Sequence, residues 1–229
     1  MSTSAPQTQK PEPALVQCLE RAGLLRPDDP ADFQRLVGGV SSDIWKVSTP
    51  DRVFCVKRAL AQLRVAADWQ APVERNHYEV AWFEIVHQIL PHAAPRILYH
   101  DASAMLCAME YLDPERHRLW KRELQQGRAD PVDAGAVGSR LGRIHAATVG
   151  RVEVAARFPR SDIFRAIRLE PYLEATAARH PDLSTQLHAL SQRTDDTRMV
   201  MIHGDASPKN ILLGPNGPVF LDAECACIG

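Results

Sequence analysis

Three short apolar runs separated by turn-forming residues close this chain, and they leave its backbone little choice. Met199–Ile202, Ile211–Leu213 and Val219–Leu221 are too short for amphipathic helices and read as buried strands. Between the last two lies Gly214-Pro215-Asn216-Gly217-Pro218, dense in residues that set turn dihedrals, so the pair is predicted to fold back as a hairpin. In an antiparallel pair the start of the first strand lies beside the end of the second. Asn210 and Asp222 are therefore expected at one mouth of the hairpin, with Asp205 on the loop that leads into it.

Two carboxylates and an amide oxygen converging on one spot repel each other unless a cation sits among them. Hard oxygen ligands of this kind suit Mg2+ carried by a nucleotide. A lone His203-Gly204-Asp205 would be read as an ordinary turn; the hairpin and Asp222 behind it make the three residues a candidate site.

The rest of the chain bounds what that site can belong to. A length of 229 residues with 45% hydrophobic content is enough to bury one large core or two lobes. The net charge of -1 and pI near 6.8 give no electrostatic footprint for nucleic acid or an anionic membrane surface, so no partner of either kind is expected. Five cysteines, odd in number and mostly inside apolar runs, read as reduced core residues. Met1–Pro13 is polar and lacks an apolar signal core, which reads as a disordered tail on a cytoplasmic protein.

Ahead of the closing runs, Ala14–Leu25 has the stripe of a short amphipathic helix, with Leu15, Leu19 and Ala22 on one side. Phe33–Val40, Ile44–Thr49 and Arg52–Arg58 then form a predicted three-strand meander, whose first turn is Gly38-Gly39-Val40-Ser41-Ser42. Bare backbone N–H groups and hydroxyls in such a turn can approach phosphate oxygens. Lys57 ends the apolar segment Val53–Val56 on the neighbouring strand. Val73–Leu90 is a strong helical pattern in which Glu79 falls inside the apolar arc while Glu84 points away. A carboxylate on a buried face is costly unless paired, so Glu79, rather than Glu74, is the expected partner of Lys57.

Two more strand-like runs, Arg96–His100 and Ala104–Tyr111, precede a region whose pattern is helical up to Met199. Its stripes are Val137, Leu141, Ile144 and Thr148, and then Leu183, Leu187 and Leu190. His145 reads as a core histidine, and the Arg116–Arg122 cluster around Trp120 as a solvated helix face. The expected organisation is a tail with a short helix over 1–32, a sheet-rich lobe with one helix over 33–112, and a helical lobe over 113–229 that carries the hairpin.

Taken in order, Gly38-Gly39-Val40-Ser41-Ser42, Lys57, Glu79, Met109-Glu110-Tyr111, His203-Gly204-Asp205 with Asn210, and Leu221-Asp222-Ala223-Glu224 resemble the aminoglycoside phosphotransferase family, which includes choline, homoserine and methylthioribose kinases. The resemblance implies an α+β, bilobal protein-kinase-like fold, with an antiparallel-sheet N-lobe and a mainly helical C-lobe. It implies transfer of the γ-phosphate of ATP to a hydroxyl of a small molecule. Asp205 would be the catalytic aspartate, and Asn210 and Asp222 would hold Mg2+ on the ATP phosphates. Lys57, braced by Glu79, would contact the α and β phosphates beneath Ser41 and Ser42. The segment Glu110, Tyr111 and Leu112 would serve as the hinge that meets adenine.

Family members continue past the position of Gly229, so the C-lobe is expected to be incomplete, with Cys225–Ile228 left as an exposed apolar tail. The alternatives are a non-catalytic nucleotide-binding protein and a metal-dependent hydrolase using His203, Asp205 and His145.

Overall fold

The computed structural model describes residues 11–28, 30–36, 42–60, 72–159 and 162–229. They form two compact units: the described residues up to Asn76 with Ile97–Tyr111, and His77–Arg96 with Leu112–Gly229.

The first unit is an antiparallel sheet with a helix on one face. Helix α1 (Pro13–Arg21) starts on a proline, whose missing N–H is harmless there, and stops where Gly23 turns left-handed at φ 66°. Strands β1 (Asp32–Arg35), β2 (Ser42–Ser48), β3 (Val53–Ala59), β4 (Ile97–Asp101) and β5 (Leu106–Glu110) are arranged β1-β2-β3-β5-β4, every neighbour antiparallel. Alternate residues of the sheet, namely Trp45, Val47, Phe54, Val56, Leu106 and Ala108, bury themselves against Leu15, Cys18, Leu19, Leu24 and Leu25. Each large side chain so buried contributes on the order of 2 kcal/mol. The N-terminal helix is thus built into the core of this unit.

Helix α2 (Arg75–Ile89) opens in the first unit and runs on in the second. There follow β6 (Arg118–Leu119), α3 (Trp120–Gln125), α4 (Pro131–Thr148), α5 (Val152–Ala155), α6 (Asp162–Phe164), a π-helix (Arg165–Glu174), α7 (Ala175–Arg179), α8 (Ser184–Asp196), β7 (Met201–Ile202), a 3-10 turn (Pro208–Asn210), β8 (Ile211–Gly214), β9 (Gly217–Phe220) and β10 (Cys227–Ile228). The Asp130 carboxylate caps α4 by accepting the Val132 N–H, and Pro131 fills the first helical position.

The predicted hairpin is present: β8 and β9 pair from Ile211↔Phe220 to Gly214↔Gly217, and Gly217 takes the left-handed φ of 96°. Its outer edge is fixed by the Phe220 N–H to the Ala93 carbonyl. The Arg140 guanidinium reaches from α4 to the carbonyls of His92, Asn216 and Pro218. Trp82 of α2, fully buried, meets the Phe220 ring edge-on at 5.9 Å.

Three expectations are corrected in this unit. Arg118 and Leu119 form a strand against β8, and Arg118 and Arg128 close on the buried Glu123 carboxylate, so the basic cluster is partly structural. A carboxylate that buried needs its partners. Leu183, Leu187 and Leu190 do not form a core stripe: Leu183 is 46% and Leu190 38% exposed, and Ser191 is the buried residue of α8. That helix docks on the π-helix through polar groups, with the Ser191 hydroxyl and Arg165 both on Glu174 and Arg165 also on Asp195. Satisfying those groups together sets the helix's rotation. Finally, Cys225, Ala226 and Cys227 are buried and not an exposed tail, because β10 pairs with β7 and the Gly229 backbone bonds Met199 and Val200.

Among the described residues no helix is long and apolar enough to cross a membrane. None of the five cysteines is in a disulfide, and four of them are buried.

Candidate active site

Gly204 makes the turn after β7. Its φ is 76°, and a Cβ there would lie 2.2 Å from the Cys225 carbonyl oxygen, so both conformation and space demand glycine. The residue before it is a buried strut. His203 lies edge-on to Trp82 at 4.9 Å, and its Nε2 sits 3.0 Å from the Leu221 carbonyl oxygen. Nε2 must carry the proton to make that bond, which leaves Nδ1 to accept the Asp205 N–H at 3.2 Å. Burial pushes the imidazole down to about 4, against the opposing charges of Asp222 and Asp205. With both ring nitrogens committed, His203 ties the loop to the end of β9 and is not a ligand in waiting.

The carboxylate of Asp205 is gripped on both oxygens. Oδ2 accepts the Asn210 amide at 3.0 Å and the Lys209 ammonium at 3.0 Å. Oδ1 accepts the Arg168 guanidinium, whose Nε also donates to the Gly204 carbonyl at 3.0 Å. The 3-10 turn sets this up: Ser207 N–H bonds the Asp205 carbonyl and Asn210 N–H bonds the Ser207 carbonyl, which folds Asn210 back over Asp205. Burial opposes the charge on Lys209, yet its hydrogen bond to Asp205 and the charges of Asp205 and Asp222 outweigh burial and raise it.

The mouth of the hairpin closes with the Leu221 N–H on the Asn210 carbonyl at 2.8 Å. Asp222, the next residue, adopts φ 61°, a left-handed conformation that few residues other than glycine, asparagine and aspartate tolerate. Asn210 and Asp205 are thus in direct contact, and Asp222 stands one residue past the closing bond. Asn210 turns its amide nitrogen to Asp205, and its Oδ1 and the Asp222 carboxylate are hard oxygens of the type that could hold Mg2+. Among the described residues no group of three or more His, Cys, Asp or Glu could hold a metal ion.

In the first unit, Ser41 lies outside the described residues, as does Gly38–Val40. Ser42 opens β2 and pairs with Ala59, and Ile44 pairs with Lys57, so Ser42, Ile44 and Lys57 share one sheet face. It is the face opposite α1. The Ser42 hydroxyl is buried and has no hydrogen-bond partner among the described residues. Lys57 is 5% exposed. Further along, Lys46 stands 4.8 Å over the Tyr111 ring, and Glu110 ends β5 exposed. In the second unit Glu79 is 1% exposed on α2, and Leu112 is half-buried.

Two residues escaped the sequence reading. Lys209 could have been found, since it stands four residues after Asp205 across a proline turn. Arg168 could not, because it reaches Asp205 from a π-helix 37 positions earlier.

Residues 32–229 match the family model described as the phosphotransferase enzyme family. The chain belongs to that family. Among solved structures it resembles a choline/ethanolamine kinase family protein from Mesorhizobium loti, at 15% identity and a TM-score of 0.58, covering 93% of this chain and 64% of that one. It also resembles the ethanolamine kinase of Plasmodium vivax, at 14% identity and a TM-score of 0.60, covering 93% of this chain and 62% of that one. A third is a thermostable mutant of an aminoglycoside phosphotransferase in ternary complex with ADP and hygromycin B, at 14% identity and a TM-score of 0.50, covering 92% and 70%. The chain therefore spans less than two thirds of the first two of these structures. At these identities the likeness shows a shared fold, the α+β, protein-kinase-like one anticipated from the motifs. No curated protein matches the chain.

Proposed function

We propose that this phosphotransferase-family chain moves the γ-phosphate of ATP to a hydroxyl of a small molecule. The observation that carries the reading is the Asn210 amide bridging to the Asp205 carboxylate at 3.0 Å, at the hairpin mouth from which Asp222 follows. The ADP bound by the aminoglycoside phosphotransferase supports nucleotide use.

In this reading Asp205 orients the acceptor hydroxyl and takes its proton. The hydroxyl oxygen forms its bond to the γ-phosphorus, and the β,γ-bridging oxygen leaves with ADP. Asn210 and Asp222 hold Mg2+, which supplies charge neutralisation on the phosphates when bound. Lys57 serves the α and β phosphates with Glu79 as its carboxylate partner, Ser42 and Ser41 cover the phosphates, and Glu110, Tyr111 and Leu112 receive the adenine. Little covalent chemistry is asked of the protein; positioning and electrostatics carry the rate.

The test is calorimetric titration of the chain with ADP and ATP, with and without Mg2+, followed by a screen of ATP consumption over amino-alcohols, hydroxy amino acids, sugars and aminoglycosides. Asp222→Asn is predicted to abolish the Mg2+-dependent part of binding and to lower turnover by more than about a hundredfold. Equal nucleotide affinity in Asp222→Asn and the parent would refute the metal assignment.

A further inference from the structure

The π-helix carries two arginines with different destinations. Arg165 stays within its own neighbourhood, on Glu170, Glu174 and Asp195. Arg168 leaves it and takes hold of two consecutive residues of the Gly204 turn, the carbonyl of Gly204 through Nε and the carboxylate of Asp205 through Nη2. Its side chain is 18% exposed, and the Tyr172 ring lies 5.3 Å beneath the guanidinium carbon, one turn along the same helix. Resting on the reading of Asp205 given above, we infer that Arg168 is the positioning residue of the transfer reaction, fixing the plane and exposed edge of the Asp205 carboxylate.

Charge balance alone does not require it. Lys209 and Asn210 already serve Oδ2, and burying a guanidinium is expensive unless its geometry is used. A guanidinium is a rigid planar fork, so donating at once to a backbone carbonyl and to the next carboxylate locks the side chain to its own backbone. A lysine, a single point charge on a flexible stem, could supply the charge and not the lock.

The helix itself fits this purpose. Pro171 inside it lacks an N–H and would clash with the Ile167 carbonyl in an α-helix; the wider π turn relieves that clash, and π segments recur at functional sites. The arrangement also separates the two carboxylate oxygens. Oδ1 is held by the largely buried Arg168, while Oδ2 takes the Asn210 amide and Lys209, whose side chain is 52% exposed.

The experiment compares the full chain with Arg168→Met, Arg168→Lys and Asp205→Asn, using Mg·ATP turnover with water as acceptor, amide hydrogen exchange and thermal melting. For Arg168→Met, kcat should fall on the order of a hundredfold, while KM for Mg·ATP stays within about twofold, as expected for lost alignment rather than lost binding. Exchange at the amides of Gly204–Asn210 should quicken about tenfold with the remainder of the chain unchanged. Arg168→Lys should restore part of the turnover and little of the protection.

Parental turnover in Arg168→Met, or unchanged exchange at Gly204–Asn210, would overturn the inference. A loss that merely follows a lowered melting temperature, with protection lost throughout the chain, would overturn it as well. If Asp205→Asn keeps parental turnover, the transferase reading fails instead. If Asp205→Asn is inactive and Arg168→Met is not, only the role of Arg168 fails. Should the parent hydrolyse no ATP, the exchange measurement decides by itself.

Discussion

A histidine held at about 4 by burial is a liability at low pH. The folded chain keeps His203 neutral while the unfolded chain protonates it near 6.5, so the unfolded state binds the extra proton first as pH falls. Its contribution is whole above pH 6.5 and is lost between there and pH 4, amounting to about 3 kcal/mol, or roughly 6–12 °C of melting temperature for a chain of this size. His203→Gln should melt lower than the parent at pH 7 and lose less between pH 7 and pH 4. A parallel decline of the two proteins would show that other groups govern the acid limb. Its neighbour gives a second test. Gly204→Ala combines a left-handed backbone with a Cβ inside contact distance of Cys225, and is predicted to lower stability by at least about 2 kcal/mol in urea unfolding. The spacing of Asp205, Asn210 and Asp222 was legible because turns and strands are local. The office of His203 was not, because it depends on Trp82, far away in sequence, to enclose the ring.

Legibility at the level of elements followed the length of chain that closes each one. The hairpin of β8 and β9 closes over a two-residue turn and could be read directly, and so could β2 and β3, which are joined across Thr49–Arg52. The run that holds β7 was read as a strand, but its partner was not: the pairing with β10 closes over more than twenty residues, and no periodicity announces a two-residue strand at Cys227–Ile228. The α8 stripe misled for a different reason: leucines at helical spacing mark a possible apolar face, and the polar contacts of Glu174 and Asp195 decided which face was buried. The C-terminal strand carries measurable weight. Deleting Cys227–Gly229 removes the Gly229 bonds to Met199 and Val200 and uncovers Met201, so unfolding free energy should fall on the order of 3 kcal/mol. An unchanged urea midpoint after that deletion would mean β10 is ornamental.

For the molecule as a whole, charge and surface matter more than any motif. With a net charge of -1 and a pI near 6.8, there is little self-repulsion at neutral pH, and Leu183, Leu190 and Met199 add apolar surface. Solubility should therefore pass through a minimum near pH 6.8, measured as the polyethylene glycol concentration needed for precipitation at each pH. A monotonic curve through neutrality would contradict this. The family itself could be inferred from ordered motifs spread over the chain, since each motif is local even where the site is not. What the order of motifs did not contain was Arg168, a side chain whose target is chosen only after the helices have packed.

The backbone angle at Asp222 has a consequence for anyone building variants. Suppose a library offers every amino acid at that codon and is sorted separately for expression and for turnover. Asparagine and glycine tolerate a φ of 61° and should be well expressed and silent, whereas valine and isoleucine, which do not, should be scarce as well as silent. Aspartate alone should score on both axes. One codon would thus sort its own alleles into misfolded and merely inert, a distinction that an alanine scan blurs.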